Sequence, residues 1–191
     1  MLSRKEAYLN CAYMSPLLKK VENAGKKGIT HKRKPHKISP DDFFKDTEII
    51  RSIFSQLTNC NQPERMVLIP SASYGIANIT NNIRLNEGEN IVVAGDQFPS
   101  NIYPWMRLCD EAGAKLKIIA APDSLDDRGK KWNEAICSAI DTDTKVVAIS
   151  HVHWADGTLF DLVKLRKVSE EVGALLIIDG TQSVGALPFD I

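Results

Sequence analysis

The chain has 191 residues with 24 basic and 24 acidic side chains, a formal net charge of zero. Apolar residues make up 43% and charged residues 25%, which fits a globular domain and excludes a disordered tail, a collagen-like chain and a coiled coil. A zero balance exerts no global pull on nucleic acid or anionic membranes, and the length predicts about one domain with enough chain to bury a core.

Ala7–Asn10 reads as a short extended piece, followed by a turn or helix start at Ser15-Pro16. A basic run comes next: Lys26, Lys27, Lys32, Arg33, Lys34 and Lys37, with His31 and His36 among them. Such a run suits a phosphate or nucleic-acid patch, but no aromatic residue is interleaved for base stacking, so a solvated loop is expected. Ser39 can cap a helix, Pro40 suits its first position, and Asp41 and Asp42 favour its positive end. Ile49, Ile50, Ile53, Phe54 and Leu57 then recur at helical spacing, which predicts a core-facing helix. From Met66 onward, short β-branched runs alternate with helical patterns. Strands are expected over 66–70, 90–94, 115–120, 145–150 and 174–179. Helices are expected over 75–84, 101–112, 132–140 and 161–172. This alternation predicts an α/β fold with a mostly parallel sheet flanked by helices. The chain divides on this reading into an N-terminal segment with helices, 1–60, and a large α/β domain, 61–191.

The four cysteines, Cys11, Cys60, Cys109 and Cys137, form no C-x-x-C pair and match no metal knuckle, so free thiols in a reducing compartment are expected. Met1–Asn10 has no apolar signal core, and the longest apolar run, Leu175–Ile178, is far too short to span a bilayer. A cytoplasmic protein with no membrane or nucleic-acid partner is the expectation.

In open parallel sheets ligands bind beyond the carboxyl ends of the strands, and four such ends carry unusual residues. Ser71-Ala72-Ser73-Tyr74-Gly75 leads straight into a helix; its small residues and helix-start N–H groups suit a phosphate, or one serine is an ordinary cap. Gly95 to Trp105 places Phe98 where it either stacks on a planar ring or closes the core together with Trp105. His151-Val152-His153-Trp154 carries two histidines at i and i+2, without a third ligand nearby, so no metal is expected; one of them suits a satisfied core position. Asp179 ends the apolar run Leu175–Ile178. A carboxylate there needs a partner, either a helix N-terminus or a protonated ring nitrogen of a ligand.

Taken in order, the Ser-rich turn, Phe98-Pro99-Ser100-Asn101, His151-Val152-x-Trp154-x-x-Gly157 and Asp179-x-x-Gln182-Ser183 resemble the class-V aminotransferase family of pyridoxal-phosphate (PLP) enzymes, of fold type I. The resemblance runs from about Tyr8 to Ile191 and looks closest to the isopenicillin-N epimerase-like and cysteine desulfurase-like branch. It implies that Ala72 and Ser73 cradle the cofactor phosphate, that Phe98 stacks on the pyridine ring, and that Trp154 lines the same site. It implies that Asp179 pairs with the pyridine nitrogen and raises that nitrogen's pKa, and that Gln182 hydrogen-bonds the phenolic oxygen. Asn10 matches the substrate side of the site. The turn reads Ala72-Ser73-Tyr74 where the family often has Ala-Thr-Glu, and Trp154 stands where many desulfurases carry Asn, as in the epimerase-like branch.

The resemblance further implies an amino-acid substrate, chemistry at its α-carbon and a homodimer. The reaction could be of aminotransferase, desulfurase, lyase or epimerase type. The family's Schiff-base lysine lies roughly twenty residues beyond the Asp-x-x-Gln-Ser motif, whereas here no lysine follows Lys167 and the sequence ends at Ile191. The expectation is therefore an N-terminal half, with the large domain cut before the lysine, the C-terminal part missing and no turnover by the chain alone. The alternative is a non-catalytic module that binds PLP or phosphate non-covalently, or an interaction protein.

Overall fold

Asn90–Ala94 is an unbroken buried run that suits a strand covered on both faces. In the computed structural model, which describes residues 5–191, it forms β1, near the middle of a four-stranded sheet. Within the expected N-terminal segment, Met1–Arg4 lie outside the described residues. The described chain divides into two compact units.

The first unit runs to Gln56 and includes Cys60–Met66. It carries α1 (Lys19–His31) and nearly all of α2 (Lys45–Leu57). The basic run is therefore only partly loop: Lys26 and Lys27 lie on α1, and Pro35–Lys37 form a short 3-10 turn. Neither contains a buried residue. Ser39 and Asp42 form a capping box at the 3-10 turn Pro40–Phe43, just ahead of α2. The core expected from Ile49, Ile50, Ile53, Phe54 and Leu57 does not form: these side chains are between 42% and 60% exposed. Helical spacing decides which residues share a face; it does not supply the surface that buries them.

The second unit, Leu57–Asn59 with Val67–Ile191, holds the sheet. Its elements after β1 are α4 (Tyr103–Ala112), β2 (Lys115–Ile119), α5 (Arg128–Ala139), β3 (Thr144–Ser150), α6 (Leu162–Glu171) and β4 (Leu175–Asp179); α3 (Ala72–Asn81) precedes them. The strand order is β2-β1-β3-β4 and every pairing is parallel. Side chains alternate across the sheet. Ile91, Val93, Val146 and Ala148 pack with Ile76 of α3 and with Trp105 and Cys109 of α4. Val92, Ala94, Val147 and Ile149 pack with Trp132 and Ile136 of α5 and Leu165 of α6 on the other face. The result is three layers, helix–sheet–helix.

Local chemistry sets the helix limits. Ser71 caps α3 by accepting from Tyr74 N–H at 3.1 Å, and Asp161 caps α6 by accepting from Lys164 N–H at 2.9 Å. α4 ends at Gly113, whose φ of +66° is a left-handed stop. The expected strand over 66–70 is absent. Val67, Leu68 and Ile69 are 78%, 50% and 41% exposed, and no strand among the described residues pairs with them. A β-branched run needs a hydrogen-bonded neighbour to become a strand, and propensity does not provide one. No helix among the described residues is long and apolar enough to cross a membrane.

Candidate functional site

The order β2-β1-β3-β4 reverses direction between β1 and β3. The chain leaves β1 for one side of the sheet and β3 for the other, which opens a crevice at their carboxyl ends. The loops that follow these two strands meet there.

Gly95 makes the turn out of β1 possible. A Cβ on it would lie 3.3 Å from both Ala120 Cα and Ile119 O, and its N–H already donates to Ile119 O at 2.7 Å. Asp96 then takes a left-handed φ of +48°. Next come Gln97, which is buried, and Phe98, which is 47% exposed. Gln97 donates to Ala148 O at 3.4 Å and accepts from Asn101, which in turn accepts from the Trp105 indole. This buried polar relay anchors the loop from below and leaves Phe98 outside. Of the two aromatic residues whose burial was open, Trp105 is core and Phe98 is not.

Phe98 meets the ring of Trp154 edge to face, with centroids 5.6 Å apart and planes at 83°. The Trp154 indole donates to Asp96 O at 2.6 Å, so the β3 loop is tied to the β1 loop. Beneath it His153 is buried, with polar partners at both ring nitrogens: Asp156 on one side, and the Gly95 and Asp96 carbonyls on the other. Burial pushes the Asp156 carboxyl up, but bonds from Thr158 and the charges of His153 and Arg128 hold it below the usual carboxylate range. His151 is different. Its Nδ1 is buried without a partner, as is the neighbouring Ser150 hydroxyl, and burial lowers its pKa, favouring a neutral ring. Its ring lies edge to face with Phe189 at 5.5 Å.

Asp179 ends β4 in register with Ser150, and its carbonyl accepts from His151 N–H at 3.0 Å. The carboxylate is half-buried, and its Oδ1 accepts from the Thr181 N–H and hydroxyl. Its local partner is thus a tight turn rather than a helix N-terminus. Gln182 lies half-buried on that turn, which Ser183 N–H closes onto Gly180 O at 3.0 Å. Ala72 and Ser73 form the exposed first turn of α3; Ser71 does the capping, so Ser73 is not the cap. α3 packs against the 3-10 turn Pro99–Asn101 that follows Phe98. Asn10 is exposed and belongs to the first unit, where its carbonyl accepts from Met14 N–H at 3.2 Å.

Sequence reasoning gave no role to Gln97, Asn101, Asp156 or Arg128, although Asn101 lies in the Phe98-Pro99-Ser100-Asn101 motif. The polar pair four residues apart, Gln97 and Asn101, and the His153-x-x-Asp156 spacing were the only local signals. Arg128 reaches Asp156 from α5 at 3.0 Å, 28 positions away. Among the described residues, no group of His, Cys, Asp and Glu is arranged to hold a metal ion.

The family model for aminotransferase class-V matches residues 19–191. The chain belongs to that family. Proteins similar to this chain include cysteine desulfurases from Escherichia fergusonii, 31% identical over 147 residues, and from Escherichia coli (strain K12 / DH10B), 30% identical over the same length. Each match covers 75% of this chain and 35% of the relative, so the chain spans about a third of the length of those relatives. The fold is that of the cystine C-S lyase C-DES in complex with its product cysteine persulfide: TM-score 0.79, 15% identity, 94% of this chain and 48% of that one. A C-DES variant with glycine covalently linked to its PLP cofactor superposes with a TM-score of 0.68 at 16% identity, over 87% of this chain and 44% of that one.

Proposed function

We propose that the chain is the cofactor-binding part of a PLP-dependent enzyme that acts on an amino acid at its α-carbon. The observation that carries this reading is the pair of strand ends in register, Ser150 and Asp179, beside the crevice where Phe98 and Trp154 meet. A half-buried carboxylate, two unpartnered buried polar atoms and two exposed aromatic rings are the chemistry that a cationic heteroaromatic ring calls for.

The residues present fit the cofactor. Asp179 would hold the pyridine nitrogen through the carboxylate oxygen that Thr181 does not use. Phe98 would cover the ring, and Gln182 would donate to the phenolic oxygen. The Ser73 hydroxyl and the free N–H groups of the first turn of α3 would take the phosphate. PLP, when bound, supplies an electron sink for the charge that develops at the substrate α-carbon. Asp179 serves that sink by favouring the protonated nitrogen, and Thr181 keeps the carboxylate aimed. Asn10 is assigned to the substrate side, and a homodimer is the proposed assembly. The curated relatives make cysteine the first substrate to assay.

The test is made on the full-length protein. Asp179→Ala is expected to retain the fold and lose nearly all turnover; turnover near wild type would remove Asp179 from this role. PLP titrated into the chain and followed by absorbance is expected to bind more weakly to Phe98→Ala, by the scale of a stacking contact, about 1 kcal/mol.

A further inference from the structure

His153 is 3% exposed, and every group its ring nitrogens face is an acceptor. Nδ1 lies 3.1 Å from Asp156 Oδ1, and Nε2 lies 3.2 Å from the carbonyl oxygens of both Gly95 and Asp96. Asp156 is held in turn. Its Oδ1 accepts from Thr158 N–H at 3.0 Å, and its Oδ2 accepts from Arg128 Nε at 3.0 Å. Arg128 also donates to Pro122 O at 2.8 Å and lies over the Trp132 ring, which packs 5.0 Å from the ring of His153. The charged groups facing His153 are therefore Asp156 and, behind it, Arg128.

The other end of the network is Asp96. Its left-handed backbone is costly for a residue with a Cβ and persists only where surrounding contacts hold it. Its carbonyl accepts from both His153 and the Trp154 indole. That one peptide is the joint between the loop carrying Phe98 and the loop carrying Trp154.

We propose that His153 is a positioning residue: in contact with polar partners at both ring nitrogens, it locks the Gly95–Asp96 turn onto the β3 loop and thereby sets the Phe98–Trp154 ring pair against a planar ligand ring. The last step rests on the PLP reading above; the lock does not.

The test reads the Trp154 indole N–H by proton–nitrogen correlation NMR, together with PLP affinity. His153→Phe keeps the ring and removes the nitrogens. It is expected to shift the Trp154 indole signal toward that of a free indole and to leave the Trp105 indole signal in place. It is also expected to weaken PLP binding roughly tenfold, the scale of one hydrogen bond. His153→Gln, which keeps an amide donor, is expected to recover most of both. If His153→Phe does not fold, Asp156→Asn is read in the same way. An unmoved Trp154 signal in the folded variant overturns the lock. A moved signal with PLP affinity within twofold of wild type overturns the positioning role. Absence of PLP binding by the wild-type chain removes the proposed function and the ligand step with it, and the indole signal then decides the lock alone.

Discussion

Asp141 shows how one carboxylate can couple this fold to pH. It lies at the end of the sheet opposite the candidate site, where Lys117, Asn90 and Thr144 converge on it. The Lys117 ammonium above all, then the Asn90 amide, holds its carboxyl far below the ordinary value of 3.8. A carboxyl whose folded pKa is depressed adds stability above its unfolded pKa and loses it as pH falls toward the folded one. The urea midpoint is therefore expected to decline as pH drops below about 4, and Asp141→Asn to flatten part of that decline. The flattening is modest, because the side chain is half exposed and water screens the pair. Equal acid slopes for wild type and variant would show that the contact contributes nothing. Asn90 and Asp141 were not singled out in the sequence. Their pairing spans 51 positions and exists only once β1 and β3 lie side by side.

Among the elements, the turn after β1 is the most constrained. At Gly95 the obstacle to a Cβ is backbone, Ala120 Cα and Ile119 O, which cannot swing aside as a side chain can. Gly95→Ala is expected to destabilise the chain by about 1–3 kcal/mol, the scale of overpacking, as read by urea denaturation. A change under about 0.5 kcal/mol would mean that β2 yields, as ordinary surface positions do. Most elements here were legible from pattern. The β1 run and the strand and helix patterns from residue 75 onward are local signals, and those elements formed within a few residues of their expected limits, whereas α1 went unpredicted because its basic run reads as a loop. The 66–70 segment carried an equal strand signal and did not form one. Its residues lack a partner strand, a long-range fact that a local window does not contain.

For the whole molecule, the open question is what covers α2. Ile49, Ile50, Ile53, Phe54 and Leu57 make a contiguous exposed apolar stripe, the kind of surface that drives association. With the proposed homodimer in view, the chain is expected to elute in size-exclusion chromatography above its 21.2 kDa mass. The double substitution Ile50→Lys with Ile53→Lys is expected to move it toward that mass. Elution of the wild-type chain as a monomer at high concentration would count against self-association through this face.

The sequence by itself determined the α/β class, the parallel sheet and the order of the motifs, because each is written in short-range periodicity, in turn chemistry and in residues that follow strand ends. It marked Asp179 as a carboxylate in need of a partner, left Phe98 open between stacking on a ring and closing the core, and gave Trp154 a place only through the family resemblance. Tertiary structure alone decided that Phe98 faces outward and meets Trp154, that Ser71 rather than Ser73 caps α3, and that Asp179 leans on a Thr181 turn. It alone assembled Arg128, Asp156, His153 and Asp96 into one network. Those outcomes depend on loops brought together by the reversal of strand order between β1 and β3, and hydrogen bonds between residues dozens of positions apart leave no pattern along the chain.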